Sequence, residues 1–293
     1  MDNNIALISN SPSDLAELMG ISNTPAKSTS ALAEIKQVHQ SVMGTKEVDG
    51  ETMEVAIVKA GAYSVTLPDD TVYYSDTLTI RPFMQRFQFQ RYDKHYQKPD
   101  GGEGRMLRTV MATSLNGDLK DNYGGFNCGR PSGYVKDFNS LPQETQDLMR
   151  STDRFKILFG LCTLDKPKDA NGKAVKVKEF PFLMRIKNRD SFKATTDIFN
   201  QIQRKNRLPI QHLIHMSSEV KSIPSGATYG VVKVKLGKEV EITTDDQEVL
   251  NNFVEWVESM NSITMSKWEE HRRPDELSDD ETAIVANVVE IDE

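Results

Sequence analysis

The chain has 293 residues, a net charge of −7, two cysteines and 38% hydrophobic residues. No apolar run approaches the roughly 18 residues that a membrane-spanning helix needs, and two thiols in so long a chain indicate a reducing compartment. These values argue against a membrane protein and against a disulfide-stabilised secreted protein. The first residues, Met1 to Asn4, lack the basic start of a signal peptide, so we expect a cytoplasmic protein.

The negative charge is concentrated at the C-terminus. Residues 274–293 contain eight Asp and Glu and no Lys or Arg, so the rest of the chain has a net charge of +1. A segment of this composition does not bury enough apolar surface to fold alone, which predicts a disordered acidic tail over 269–293. The nearly neutral body keeps a nucleic-acid partner open despite the acidic total.

Residues 1–50 are weakly patterned and predict an N-terminal arm. A Ser-, Thr- and Pro-containing stretch over 22–30 separates two possible short helices, at 13–20 and 31–42. In the second, Leu32, Ile35 and Val38 lie on one stripe. A loosely attached arm without regular structure is the alternative for the whole segment.

Residues 51–268 predict a β-rich core. Alternating apolar residues indicate strands between 53 and 115, between 154 and 187, and between 208 and 242. Helical spacing predicts helices over 141–150, 191–206 and about 247–260. Because strands outnumber helices and do not alternate with them regularly, we predict an α+β fold on an antiparallel sheet or small barrel.

The segment 81–96 combines basic and aromatic residues in a strand pattern. An uninterrupted strand would carry Phe83, Phe87, Phe89 and Arg91 on one face and Arg86, Gln88, Tyr92, Lys94 and Tyr96 on the other. Single-stranded nucleic acid is bound by such a surface, since Arg and Lys neutralise phosphates and exposed rings stack on unpaired bases. The alternative is an amphipathic strand with a solvated face.

Two further segments carry cations or rings. Arg185, Lys187 and Arg189 share a strand face near a strand-to-helix turn, and a glycine-rich loop over 121–139 contains Arg130 and, within 123–134, three aromatic residues. The first would align along a phosphate backbone, and the second would clamp a nucleotide chain. A solvated strand end and an ordinary ordered loop are the alternatives.

Motifs for catalysis are missing from the sequence. There is no GxxxxGK[ST] phosphate loop, no HExxH or G-x-S-x-G motif and no close set of four zinc ligands. His212 and His215 would point to opposite faces of a strand. We therefore predict no catalytic residue, metal or cofactor, while an enzyme acting on nucleic acid or nucleotides stays a third alternative.

The layout of the basic-aromatic strand 81–96, the strand end 185–193 and the tail 274–293 resembles bacteriophage single-stranded DNA-binding proteins of the OB-fold class. The resemblance implies an OB-like barrel with embellishing helices, and an acidic tail that contacts replication or recombination proteins. Two features depart from it. The tail ends at Glu293 without a terminal aromatic residue, and the zinc-binding cluster of some phage members is missing.

We therefore predict a non-enzymatic protein that binds single-stranded DNA with little sequence preference, in replication, recombination or repair. Its tail would regulate binding or dock a partner, with no membrane involved, in the cytoplasm of an infected cell if the chain comes from a phage. A phage virion or assembly protein is the alternative. The predicted nucleic-acid-binding residues are Arg81, Arg86, Arg91, Tyr92, Lys94, Tyr96, Phe126, Arg130, Tyr134, Arg185, Lys187 and Arg189.

Overall fold

The computed structural model describes residues 32–48, 51–97, 101–133, 135–222 and 228–272. The helix predicted over 13–20, the linker over 22–30, Tyr134 and the acidic tail from residue 273 lie outside the described residues.

A nine-stranded sheet forms the centre of the fold, in the order β11-β10-β6-β8-β9-β1-β4-β5, with β7 paired to the far end of β6. All neighbouring strands are antiparallel except β1 and β9. β2 and β3 form a separate two-stranded hairpin. The strands are β1 (Ala33–Gln37), β2 (Val42–Val48), β3 (Glu51–Val58), β4 (Tyr63–Thr66), β5 (Val72–Ser75), β6 (Thr77–Gln97), β7 (Glu103–Arg108), β8 (Thr152–Asp165), β9 (Phe180–Ile186), β10 (His212–Ser222) and β11 (Thr228–Glu239).

Three α-helices lie in the described part of the chain: α1 (Gln143–Ser151), α2 (Arg189–Gln203) and α3 (Thr244–His271). The apolar side of α2 packs with Leu158 of β8, whereas α3 packs with the neighbouring residue Phe159. Because successive side chains of a strand point to opposite faces, α2 and α3 cover the two faces of the sheet. None of these helices is both long and apolar enough to cross a membrane.

β6 contains a β-bulge next to Pro82, and the bulge changes which face its side chains reach. The register with β8 shifts between Pro82 and Met84, opposite Gly160, where a Cβ atom would collide with the Arg81 carbonyl group. As a result, Phe83 packs on Phe253 of α3, whereas Phe87 packs on Phe192 of α2. The prediction of one uninterrupted face containing both phenylalanines is therefore wrong, because a bulge resets the alternation.

The predicted α+β, antiparallel OB-like barrel is also wrong. The structure is a mixed α/β protein with one large open sheet, and its end strands β5 and β11 do not pair with each other in the described residues. The sheet curls enough for the Tyr63 hydroxyl of β4 to donate a hydrogen bond to the Ser217 carbonyl of β10. The sheet nevertheless stays open, because the strands that follow β9 in the sheet order, β1, β4 and β5, form no backbone ladder with β10 or β11 in the described residues.

Local predictions fared unevenly. The helix predicted over 31–42 is wrong, since residues 33–37 form β1 with Ala33 and Ile35 buried. The helices expected over 141–150 and 191–206 are confirmed as α1 and α2. The last helix is confirmed but continues to His271, because Asn261 exchanges two hydrogen bonds with the backbone of Met111 and holds α3 beside the strands.

Candidate nucleic-acid interface

The second half of α3 forms one wall of a cleft over the sheet. Its other wall comes from β6, β7 and β9 and from the loop that follows β7. We call this site the cationic cleft. It is lined by Gln88, Arg108, Met111, Asn122, Arg185, Trp256, Met260, Ile263, Thr264 and Lys267.

Three cations and no carboxylate line the cationic cleft. Burial lowers the pKa of Arg185, the positive charge of Arg108 lowers it further, and Glu34 raises it. Ion pairs in the described residues include Arg185 with Glu34 at 2.8 Å but none with Arg108 or Lys267. Mutual repulsion of two guanidinium groups in a partly desolvated cleft favours binding of an anion there.

A second concavity, the adjoining cleft, meets the cationic cleft at Arg185. Its volume is about 530 Å³, against about 110 Å³ for the cationic cleft. Lys36, Gln37, Phe155, Lys187 and Tyr229 contribute to its walls. The two clefts thus differ in character, because the smaller one concentrates charge and the larger one offers space and aromatic rings.

The two clefts lie along a row that crosses five neighbouring strands. The row runs from Lys36 on β1 through Arg185 on β9, Phe155 on β8 and Gln88 on β6 to Arg108 on β7. Neighbouring strands are about 4.8 Å apart, so the row spans about 20 Å. Such a track has room for several nucleotides of an extended single strand.

The adjoining cleft also contains ion pairs that are easily exchanged. Lys187 contacts Asp153 at 3.1 Å with side chains 60% and 48% exposed. Glu34 serves two cations at once, since it contacts Lys36 at 2.7 Å and Arg185 at 2.8 Å. Exposed ion pairs such as Lys187 with Asp153 contribute little stability, so a phosphate can replace the Asp153 carboxylate at small cost.

Arg81, a predicted phosphate-binding residue, has a structural role. Its guanidinium donates two hydrogen bonds to Asp246, at 2.8 and 2.7 Å, and two more to the carbonyl groups of Ile210 and Glu241. Asp246 in turn accepts a hydrogen bond from the Thr243 amide at the start of α3. Arg81 therefore joins β6 to α3 and is not available to a ligand.

The end of β6 forms a different concavity against α1. Arg91, Tyr92 and Lys94 line it together with the carboxylates of Glu144 and Asp147. Arg91 donates to the Cys128 carbonyl at 2.8 Å, Lys94 is exposed, and Tyr92 is 57% exposed. Opposite charges are mixed here, so this place suits a phosphate backbone less well than the cationic cleft does.

Tyr96 contributes to a stack of rings and cations. Arg105 lies between Tyr96 and Tyr123, with its guanidinium carbon 4.1 and 4.3 Å from the two ring centroids, and pairs with Asp93 at 3.2 Å. Tyr123 also contacts the His271 ring at 5.0 Å. Tyr96 thus faces protein on one side, and the stack fixes the last turn of α3 next to β7.

The remaining predicted residues are dispersed. Arg86 and Arg130 are half-buried, burial lowers the pKa of both, and they donate to the carbonyl groups of Gln85 and Met149. Phe126 is 42% exposed and meets the Trp268 ring edge-on. Arg189 is exposed at the first residue of α2.

Sequence reasoning thus identified two residues of the clefts, Arg185 and Lys187, and missed the others. Arg108 lies in an ordinary alternating strand, and Lys267 lies beyond the predicted end of the last helix. One signal was present for Lys267, because Met260, Thr264 and Lys267 repeat at helical spacing. Nothing local marks Arg108.

Comparisons with known proteins give no relative for this chain. No family model matches the sequence, no curated protein matches it, and no solved structure matches the fold.

Proposed function

We propose that this protein binds single-stranded DNA without catalysis and with little sequence preference, in replication, recombination or repair. The observation that carries the proposal is the cationic cleft, where Arg108, Arg185 and Lys267 converge without a carboxylate in the lining. Phosphate neutralisation provides affinity that does not depend on sequence.

The geometry favours a single strand over a duplex. The cationic cleft has a volume of about 110 Å³ between α3 and the sheet, which suits a phosphate group. Its wall includes Trp256, the row includes Phe155, and Tyr229 lines the adjoining cleft. Rings beside cations are the surface that unpaired bases use, since any base stacks on an aromatic face.

The acidic tail fits this proposal as a regulator. Lys267 lines the cationic cleft four residues before α3 ends at His271, and the eight carboxylates of the tail follow from residue 275 onward. A polyanion tethered so close to three cations competes with DNA and weakens non-specific binding. Docking of replication or recombination proteins on residues 274–293 is the second role we propose for the tail.

The test is fluorescence anisotropy of a labelled oligo-dT across a salt series. We compare the full chain with the double variant Arg108→Ala/Lys267→Ala. A single strand loses about 0.7 in the slope of log K against log salt for each phosphate contact, so this variant should flatten the slope by about 1.4. The matched control is Arg204→Ala/Lys238→Ala, which removes the same charge from two exposed positions at the far ends of α2 and β11.

The outcome separates the alternatives. Equal slopes for the cleft variant and the unmodified chain would show that the cleft does not bind the backbone. If the unmodified chain itself fails to bind at low salt, single-strand binding is wrong, and the virion or assembly alternative becomes the leading interpretation.

A further inference from the structure

We propose that the adjoining cleft is a subsite for one unstacked nucleoside of the bound strand. This inference rests on the proposed function and assigns a distinct task to each cleft. The cationic cleft holds backbone phosphate, and the adjoining cleft receives the base and sugar next to it.

Size and lining support this division. A volume of about 530 Å³ lies within the range of small-molecule sites, about 300–1,000 Å³. Phe155 and Tyr229 contribute partly exposed rings to the walls, on β8 and at the start of β11. Stacking on such rings stabilises an unpaired base whatever its identity.

Gln37 supplies a polar group that lacks a partner. Its side-chain amide lies on Gly230, where a Cβ atom would come within 3.0 to 3.1 Å of it. Its Nε2 atom is buried and has no hydrogen-bond partner in the described part of the chain. A buried donor without an acceptor is costly, so a base that offers a keto oxygen or a ring nitrogen gains a hydrogen bond there after a small rotation of the amide.

The two clefts share Arg185, so a nucleoside in the adjoining cleft would lie next to a phosphate in the cationic cleft. Arg185 belongs to the walls of both clefts, so a phosphate bound by Arg185 and Arg108 leaves the attached sugar at the entrance of the adjoining cleft. Lys36 and Lys187 line the same cleft, and the exposed carboxylate partner of Lys187, Asp153, is one that a second phosphate displaces.

The experiment measures binding of an oligo-dT and of the same oligonucleotide with abasic sites throughout, at one salt concentration. Tyr229→Ala should weaken oligo-dT binding about 5- to 150-fold, the equivalent of one lost stacked base, and leave abasic binding unchanged. Tyr229→Phe should retain both affinities. Tyr74→Ala, at a partly buried tyrosine on the far end strand of the sheet, is the matched control and should change neither.

A second measurement avoids variants altogether. Irradiation of the unmodified chain with a 5-iodouracil-containing oligonucleotide should cross-link Tyr229 or Phe155, as identified by mass spectrometry.

Equal weakening of oligo-dT and abasic binding by Tyr229→Ala, or cross-links only outside the adjoining cleft, would overturn the nucleoside subsite while leaving single-strand binding intact. Failure of the unmodified chain to bind either oligonucleotide would overturn both proposals.

Discussion

Replacing Lys156 with methionine should stabilise the protein at neutral pH. Lys156 projects from β8 under α2 and is 1% exposed. Its Nζ atom donates to the Phe192 carbonyl and to the hydroxyl of Thr195, both at 3.3 Å, and to the hydroxyl of Thr196. Both hydroxyls also donate to backbone carbonyls of α2, so they keep a partner when the ammonium group is removed.

The magnitude follows from the titration of the ammonium group. Burial lowers the pKa of Lys156 from 10.5 to about 8. This difference means that the charged ammonium group destabilises the folded state, relative to the unfolded state, by about 3 kcal/mol. Between pH 8 and pH 10.5 the unfolded chain keeps the proton while the folded chain releases it, so stability rises with pH. Below pH 8 the cost is present in full.

Urea unfolding at pH 7 and pH 10 tests this reasoning. At pH 7 we expect Lys156→Met to raise the free energy of unfolding by about 3 kcal/mol, and at pH 10 the gain should shrink to about 1 kcal/mol. Lys205→Met, at an exposed residue just after α2, is the control and should show no such pH dependence. A gain of the same size at both pH values, or a loss at pH 7, would refute the charged, desolvated state of Lys156.

Two further predictions concern the structural role of Arg81 and the regulatory role of the acidic tail. Arg81→Ala should lower the free energy of unfolding by about 3–5 kcal/mol, because it leaves buried Asp246 uncompensated, and should leave the salt slope for oligo-dT unchanged. Urea unfolding measures the loss of stability, and anisotropy measures the salt slope. A flatter salt slope would show that Arg81 does contact the DNA backbone. Truncation to residues 1–272 should tighten binding at low salt, with the gain vanishing at high salt as the tail is screened. Equal affinities at low salt would show that the tail does not compete.

Much of the secondary structure was predictable because its signal is local. The apolar residues of α2, including Ile198, Phe199 and Ile202, repeat at helical spacing, and apolar residues alternate with polar ones in many of the strands. Residues 31–42 show where this reasoning fails. Leu32, Ile35 and Val38 fit a helix, yet Ala33 and Ile35 fit a strand as well, and pairing with β4 and β9 decides between the two.

The overall topology depends on contacts that local patterns do not record. A barrel closes only if its end strands pair, and the end strands β5 and β11 do not pair in the described residues. The sheet order also depends on the pairing of β9 with β1, a strand from about 150 residues earlier in the chain. The bulge at Pro82 is a second example, because it moves Phe83 and Phe87 to opposite faces. One inserted residue in a strand inverts every later assignment of inside and outside.

The candidate site shows the same limit in its charges. Arg81 and Arg185 look alike in the sequence, each in an apolar strand, but their carboxylate partners decide their roles. Asp246 neutralises Arg81 from 165 residues away, with side chains only 6% and 11% exposed, respectively. Glu34 is shared between Arg185 and Lys36, so one carboxylate neutralises only part of the two positive charges. A count of cations in a strand therefore overestimates the number available to a ligand.

Local pairing of charges explains how a chain with a net charge of −7 presents a cleft lined by cations. Eight carboxylates belong to the tail, and the body of +1 is distributed unevenly because its acids pair with particular bases. Around Arg185, one carboxylate faces two cations, and Arg108 and Lys267 add two more charges within the same cleft. Screening at physiological salt limits charge interactions to about 8 Å, so a phosphate in the cleft would respond mainly to this local excess and not to the net charge of the whole chain. The proposed binding of nucleic acid therefore rests on the charges that line the cleft and not on the isoelectric point.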